Sequence, residues 1–337
     1  MRPLRLFLLA LVDVLCIHSA KAQTDPSFTH YFDIPTYFNP AAVGQTDFVR
    51  IRGGARLQWV GIDNAPTSFL VTGDMPFKFV GKRLGAGVTF FTESAGLYKT
   101  ITAGLQIGYK FKALKGEWTI GLQPGIINEA FKGSDVYIPD DDDYHQSTDE
   151  AIPTTDVAGT AFDLGIGLWY NHPRFYAGVS MQHALSPTVK FSDSDNTTGS
   201  VTGGESADGS NIKEFSFQAR RTLYFTAGCN IPIKNTLWEV MPSMIYRSDF
   251  TFWNVEATAR VRYNKFLLAG IGYRYDDAVS ALLGVEFKGF YLGYSFDWSL
   301  SEAGRASSGS HEIVAGYNLK LNLGEKNRHK HKSVRLM

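Results

Sequence analysis

An excess of charge of either sign is the first thing this chain lacks. Its 337 residues carry 33 Lys and Arg against 33 Asp and Glu, a formal net charge of +0. Binding to a nucleic-acid backbone asks for a basic surplus, and intrinsic disorder goes with high net charge and few aromatics. With aromatics at 14%, both classes are set aside, and no nucleic-acid partner is expected. Cysteine is scarce as well, with Cys16 and Cys229 alone. After residue 22 there is no apolar run of about 20 residues and no sustained period near 3.6, so membrane-spanning helices are not expected. Charged residues, at 20%, fall below the roughly 25% of soluble domains, while glycine is plentiful at 33 residues. This composition points to a β protein with an unusual surface.

The first segment reads as a secretory signal. Arg2 and Arg5 precede a mostly apolar run from Leu6 to Ile17, and Ala20-Lys21-Ala22 offers small residues where a signal peptidase cuts. Cleavage after Ala22 leaves Cys229 as the sole cysteine, so no intramolecular disulfide is expected.

From there the period is two. Ile101, Ala103, Leu105, Ile107, Tyr109 and Phe111 share one face, opposite Thr102, Gly104, Gln106, Gly108 and Lys110. The same alternation returns at Phe162–Tyr170, Phe290–Trp298 and Ile313–Leu321. About fourteen such segments can be counted, at 48–59, 67–76, 84–93, 98–111, 116–127, 161–171, 174–183, 221–230, 237–247, 251–262, 266–275, 278–287, 290–299 and 311–321. Each is around 10 residues long, the length at which a tilted strand crosses a bilayer. Aromatics near segment ends, among them Trp59, Tyr98, Trp169, Tyr170, Trp253, Tyr291 and Trp298, are expected to form an interfacial girdle. Short connections follow even-numbered segments, whereas the long ones at 128–160 and 184–220 follow odd-numbered segments. That parity is the outer-membrane arrangement, with both termini placed on the periplasmic side. The expected fold is therefore all-β: a transmembrane antiparallel β-barrel of about 14 strands, outer-membrane type. An open edge would strand backbone groups in hydrocarbon, so the last strand must pair with the first.

The chain divides into a signal peptide at 1–22, an extended plug or docking segment at 23–44, a barrel at 45–323 and a basic tail at 324–337. The segment 23–44 carries Pro26, Pro35 and Pro40, which deny it ladder pairing, and Phe28, Tyr31, Phe32, Tyr37 and Phe38, which need burial. It reads as a plug tucking aromatics into the barrel mouth or as a lead-in that seals the lumen. Charges on the polar faces, including Arg52, Arg56, Lys110, Asp163, Glu256, Arg260, Arg274 and Asp297, are expensive in lipid and should face the lumen in pairs. The acidic run Asp140–Asp143 lacks an EF-hand pattern and reads as a solvated loop rather than a calcium site, and the loop 192–212 as a flexible surface segment. His329 and His331 make at best a weak metal site, and contact of their basic tail with anionic lipid or a partner is the better reading. No nucleophile elbow, P-loop, dinucleotide fingerprint or zinc-protease helix is present, so no catalytic site, metal or cofactor is expected.

An ordered set of short motifs opens the mature chain: Asp25-Pro26-Ser27-Phe28-Thr29-His30-Tyr31, then Asn39-Pro40-Ala41-Ala42-Val43-Gly44, then Arg56-Leu57-Gln58-Trp59-Val60-Gly61. The set resembles the PorP/SprF family of outer-membrane proteins of the type IX secretion system of Bacteroidota. The resemblance implies a non-enzymatic part of protein export or of the linked gliding machinery. Such a part would anchor periplasmic ring and lipoprotein subunits, or hold secreted cargo by its C-terminal domain. Phe28, Tyr31, Tyr37, Asn39, Pro40, Arg56 and Trp59, drawn from these motifs, are the candidate partner-docking residues. The other functional class in view is an outer-membrane pore for small or hydrophobic solutes, which would need an open lumen.

Overall fold

Period-two alternation becomes fourteen barrel strands in the computed structural model, which describes residues 26–136, 155–193 and 216–321. In chain order they are β1 (Phe48–Leu57), β2 (Thr67–Phe79), β3 (Lys82–Ala95), β4 (Tyr98–Ala113), β5 (Gly116–Lys132), β6 (Asp156–Asn171) and β7 (Phe175–Gln182). The second half comprises β8 (Thr222–Cys229), β9 (Trp238–Ser248), β10 (Trp253–Tyr263), β11 (Leu267–Arg274), β12 (Ala278–Phe287), β13 (Phe290–Ser299) and β14 (Ser310–Lys320). Each pairs antiparallel with its neighbours in sequence, and β1 pairs with β14 from Phe48↔Lys320 to Leu57↔His311. The sheet is closed, so no edge is left in hydrocarbon.

The barrel is inside out relative to a soluble fold. Ile51, Phe69, Leu105, Phe162, Ile271 and Leu283 are exposed on the outer face, where lipid takes the place of a core. Arg50, Arg56, Asp74, Gln106, Thr119 and Asp297 are buried on the inner face. The aromatic girdle needs two corrections, because Trp169 and Tyr291 have the inward parity and are buried in the lumen. Trp169 stacks on Tyr176 at 5.2 Å, and Tyr291 hydrogen-bonds Asp33. Trp253 and Trp298 do face outward.

The two rims differ as the connection lengths require. Val80-Gly81, Leu114-Lys115 and Lys288-Gly289 are two-residue hairpin turns with positive φ at both positions, the mirror-image type that matches strand twist. They share one rim with the start of β1 and the end of β14. On the opposite rim β5 and β6 run past the expected ends at 127 and 161. The 183–221 excursion is structured where it is described: Thr188–Lys190 pairs with Ser216–Gln218, and Ser192-Asp193 pairs with β6. That corrects the purely flexible reading of its first residues. Val189 is buried against Ile127 and Ala219, so this excursion folds onto the lumen face of β5. The signal, the Asp140–Asp143 run, residues 194–215 and the basic tail lie outside the described residues.

Candidate functional site

Prolines at 26, 35 and 40 keep the N-terminal segment out of the sheet, and its aromatics need cover. Both demands are met inside the barrel. Every residue from Pro26 to Thr46 is buried except Tyr37, which is half-buried. A single helical turn at Pro35–Phe38 and a 3-10 turn at Pro40–Ala42 are its regular structure.

At the long-loop end the segment is held by charge. Thr29 donates its backbone N–H to Glu312 at 2.8 Å, and His30 does the same to the other carboxylate oxygen at 2.8 Å. The Thr29 hydroxyl meets Asp297 at 2.9 Å and accepts from Arg274 at 3.0 Å. Arg56 of β1 closes the cluster with Asp297 at 2.8 Å and Glu312 at 3.2 Å. Arg274 also pairs with Glu256 at 2.8 Å and Asp277 at 3.1 Å. Two guanidiniums and two carboxylates thus share one threonine, and through them and Glu256 the strands β1, β10, β11, β13 and β14 are tied to the plug.

Midway down, Phe28, Tyr31, Phe32, Ile34 and Phe38 pack against inward Leu70, Phe91, Tyr224, Met241, Ile245, Leu268, Leu282 and Val314. Each such side chain contributes about 1.5–3 kcal/mol in transfer terms. Tyr31 reaches Ser243 with its hydroxyl at 2.9 Å. The Arg260 guanidinium lies 3.3 Å above the Phe32 ring centroid, a cation–π contact in place of the expected ion pair. His30 and Asp33 pair at 2.9 Å, and the Tyr291 hydroxyl also donates to Asp33. Burial penalises the His30 imidazolium, but the Asp33 and Glu312 carboxylates outweigh it and raise the His30 pKa against the opposing pull of Arg260. For Asp33, burial raises and the His30 and Arg260 charges together with Tyr291 lower, with a net depression.

Towards the short-turn rim the hold is by shape. Asn39 caps the 3-10 turn by accepting from the Ala41 N–H at 2.8 Å, and it donates to the carbonyls of Leu168 at 3.1 Å and Val179 at 3.2 Å. The polar-face glycines are the seat. A Cβ on Gly121 would lie 2.3 Å from the Ala41 nitrogen, on Gly167 2.1 Å from the Asn39 side-chain oxygen, and on Gly85 2.5 Å from the Val43 carbonyl. Gly44 itself sits at φ +61 with its N–H on Asp74 at 2.7 Å, turning the chain out of the lumen into β1. Lys110 also donates to the Gly44 carbonyl.

The motif residues are therefore gathered in one place, with one exception. Phe28, Tyr31, Asn39, Pro40 and Arg56 are buried in the lumen and Tyr37 is half-buried there, whereas Trp59 lies at the long-loop rim with φ +51. Sequence reading passed over Thr29, Asp33, Glu312 and the seat glycines. Their signal was present, because a glycine on the polar face of a strand marks a place where something approaches the wall. The segment begins beside Arg274 and Glu312 in the long-loop half, and the described chain ends at Leu321 on the other rim. The two ends of the described chain thus lie towards opposite rims, since twenty residues are enough to run the length of the lumen. Among the described residues no group of three His, Cys, Asp or Glu could hold a metal ion.

A family model described as "Type IX secretion system membrane protein PorP/SprF" matches residues 20–317. No curated protein matches. Among solved structures, a FadL homologue of Pseudomonas aeruginosa is 10% identical with TM-score 0.48, over 88% of this chain and 95% of that one. The toluene transporter TbuX of Ralstonia pickettii is 11% identical with TM-score 0.47, over 86% of this chain and 94% of that one. The translocator domain of the autotransporter NalP from Neisseria meningitidis is 11% identical with TM-score 0.42, over 81% and 87%.

Proposed function

Because the chain belongs to the PorP/SprF family of type IX secretion system membrane proteins, we propose that it is a non-enzymatic anchor in the outer membrane. It would hold periplasmic ring subunits, or secreted cargo at the cell surface. The observation that carries this reading is the occupied lumen: a closed barrel holding the segment from Pro26 to Thr46 inside it offers two rims for docking. In this reading the short-turn rim faces the periplasm and the long-loop rim the exterior, following the usual asymmetry of such barrels. Phe28, Tyr31, Tyr37, Asn39, Pro40 and Arg56 would then serve docking indirectly, by making the barrel a rigid platform, and Trp59, half-buried at the long-loop rim, would touch a partner directly.

Deleting the gene in its native host and quantifying secreted and surface-attached proteins tests the role. Loss of type IX cargo, with ring or adhesin partners recovered on affinity isolation from outer membranes, supports it. Normal secretion with altered solute uptake would overturn it in favour of a pore.

A further inference from the structure

Charge is spread very unevenly between the two ends of the barrel. On the short-turn rim, Lys78, Lys82, Lys112, Lys115 and Lys320 are exposed and Arg83 is half-buried, all within the sector formed by β14 and β1–β5. The exposed acid there among the described residues is Asp47, which is engaged by Arg83 at 3.2 Å. Glu117, half-buried, is shared by Lys110 at 3.5 Å and Arg83 at 3.9 Å. Lys82, Lys112, Lys115 and Lys320 form no ion pair among the described residues. The opposite rim is close to balanced, Lys99 and Lys132 standing with Asp135 and Asp156.

Strand parity decides what this charge can meet. Lys78 shares the lumen-facing parity of Asp74, Lys112 that of Lys110, and Lys320 that of Glu312, so these cations fringe the mouth of the barrel. At the same level the lipid-facing positions are Phe77, Phe79, Phe111 and Leu319, and the one cation among them is Lys82, which pairs with Phe79 and so stands on the outer wall rather than at the mouth. Lipid headgroups would be met by the outer wall, whereas a soluble protein seated over the mouth would meet the lysines. Between them stand two aliphatic turn tips, Val80 at 82% and Leu114 at 78% exposure. Both are held at positive φ, +46 and +53, a region uncommon for any residue other than glycine and strained for the β-branched Val80. Asn or Gly would make these turns more easily, so the apolar tips are better explained by contact than by local conformation.

We infer that this sector of the short-turn rim is a docking face for an acidic protein surface bearing an apolar patch. The lysines supply charge complementarity and Val80 and Leu114 the apolar anchors. The inference rests on the anchoring role proposed above and specifies where and by what chemistry a subunit is held.

The test is a photo-reactive amino acid at Leu114 in the full chain in native outer membranes, alone and combined with Lys112→Glu, Lys115→Glu and Lys320→Glu. The expected result is a crosslink to an acidic subunit of the secretion machinery that falls at least tenfold on charge reversal, and that weakens in high salt. Heat-modifiable gel mobility checks that the reversed barrel is assembled; if it is not, the Lys→Gln triple variant takes its place and should show an intermediate loss. An undiminished crosslink, or crosslinking to lipid alone, overturns the inference. The two levels fail separately. If the unaltered barrel co-isolates no secretion subunit, the anchoring role itself falls; if it co-isolates one that survives charge reversal, only this docking face falls.

Discussion

Arg56 is the residue on which most of the upper plug network depends, because it sits between Asp297 and Glu312 and leaves both buried if removed. Arg56→Ala should cost about 3–5 kcal/mol, the usual loss when one partner of a buried ion pair is deleted. A lower temperature for the folded-to-unfolded band shift on gels checks this, with Arg56→Lys retaining part of the loss. Gly121→Val should disturb the lower plug, since even a Cβ there comes within 2.3 Å of the Ala41 backbone. Limited proteolysis of residues 26–46 reads the effect, and Gly53→Ala, which meets only the Leu70 carbonyl at 3.8 Å, should be silent. The His30–Asp33 pair predicts a pH window. The raised His30 pKa contributes stability below its ordinary 6.5 that is lost as pH rises through the raised value. The depressed Asp33 pKa contributes above its ordinary 3.8 and is lost as pH falls through the lowered value. Protection of the plug amides, taken relative to their unprotected exchange rates at each pH, should therefore be greatest between these limits and fall on the alkaline side, a fall that His30→Gln removes. Arg56 was legible twice, as a charge on the polar face of its strand and as part of the family motif. Asp297 and Glu312 could not be matched to it from sequence, because their contacts with Thr29 close over 268 and 283 residues.

At the scale of elements, the strands were legible because lipid on one side and a polar lumen on the other leave a period of two that no loop imitates. Their ends were less so. The hydrophobic pattern of β5 and β6 stops at the membrane boundary, but backbone pairing continues to Lys132↔Asp156 above it. The short pairing of Thr188–Lys190 with Ser216–Gln218 joins segments separated by a long polar stretch in sequence, and polar composition gave no hint of it. The plug was legible as a segment that could not join the sheet and could not stay in water, but its depth in the lumen was not. Deleting residues 26–46 should leave an open barrel. Planar-bilayer recordings should then show steady conductance for the truncated protein and little for the complete chain, and an equally conducting complete chain would refute the occupied lumen.

For the molecule as a whole, the most consequential feature is that the first described segment lies inside a ring completed by the last strand. The Thr29 N–H can reach Glu312 only after 283 further residues have been made. Contacts of that sequence separation are slow to form and expose the partly built sheet meanwhile. Closure of β1 on β14 is also what confines the segment, so capture and closure are a single event. A barrel sealed without its plug could acquire it only by threading or by reopening the β1–β14 seam. Assembly is thus an ordered act of enclosure: the chain must wait for its own end before its beginning has anywhere to rest.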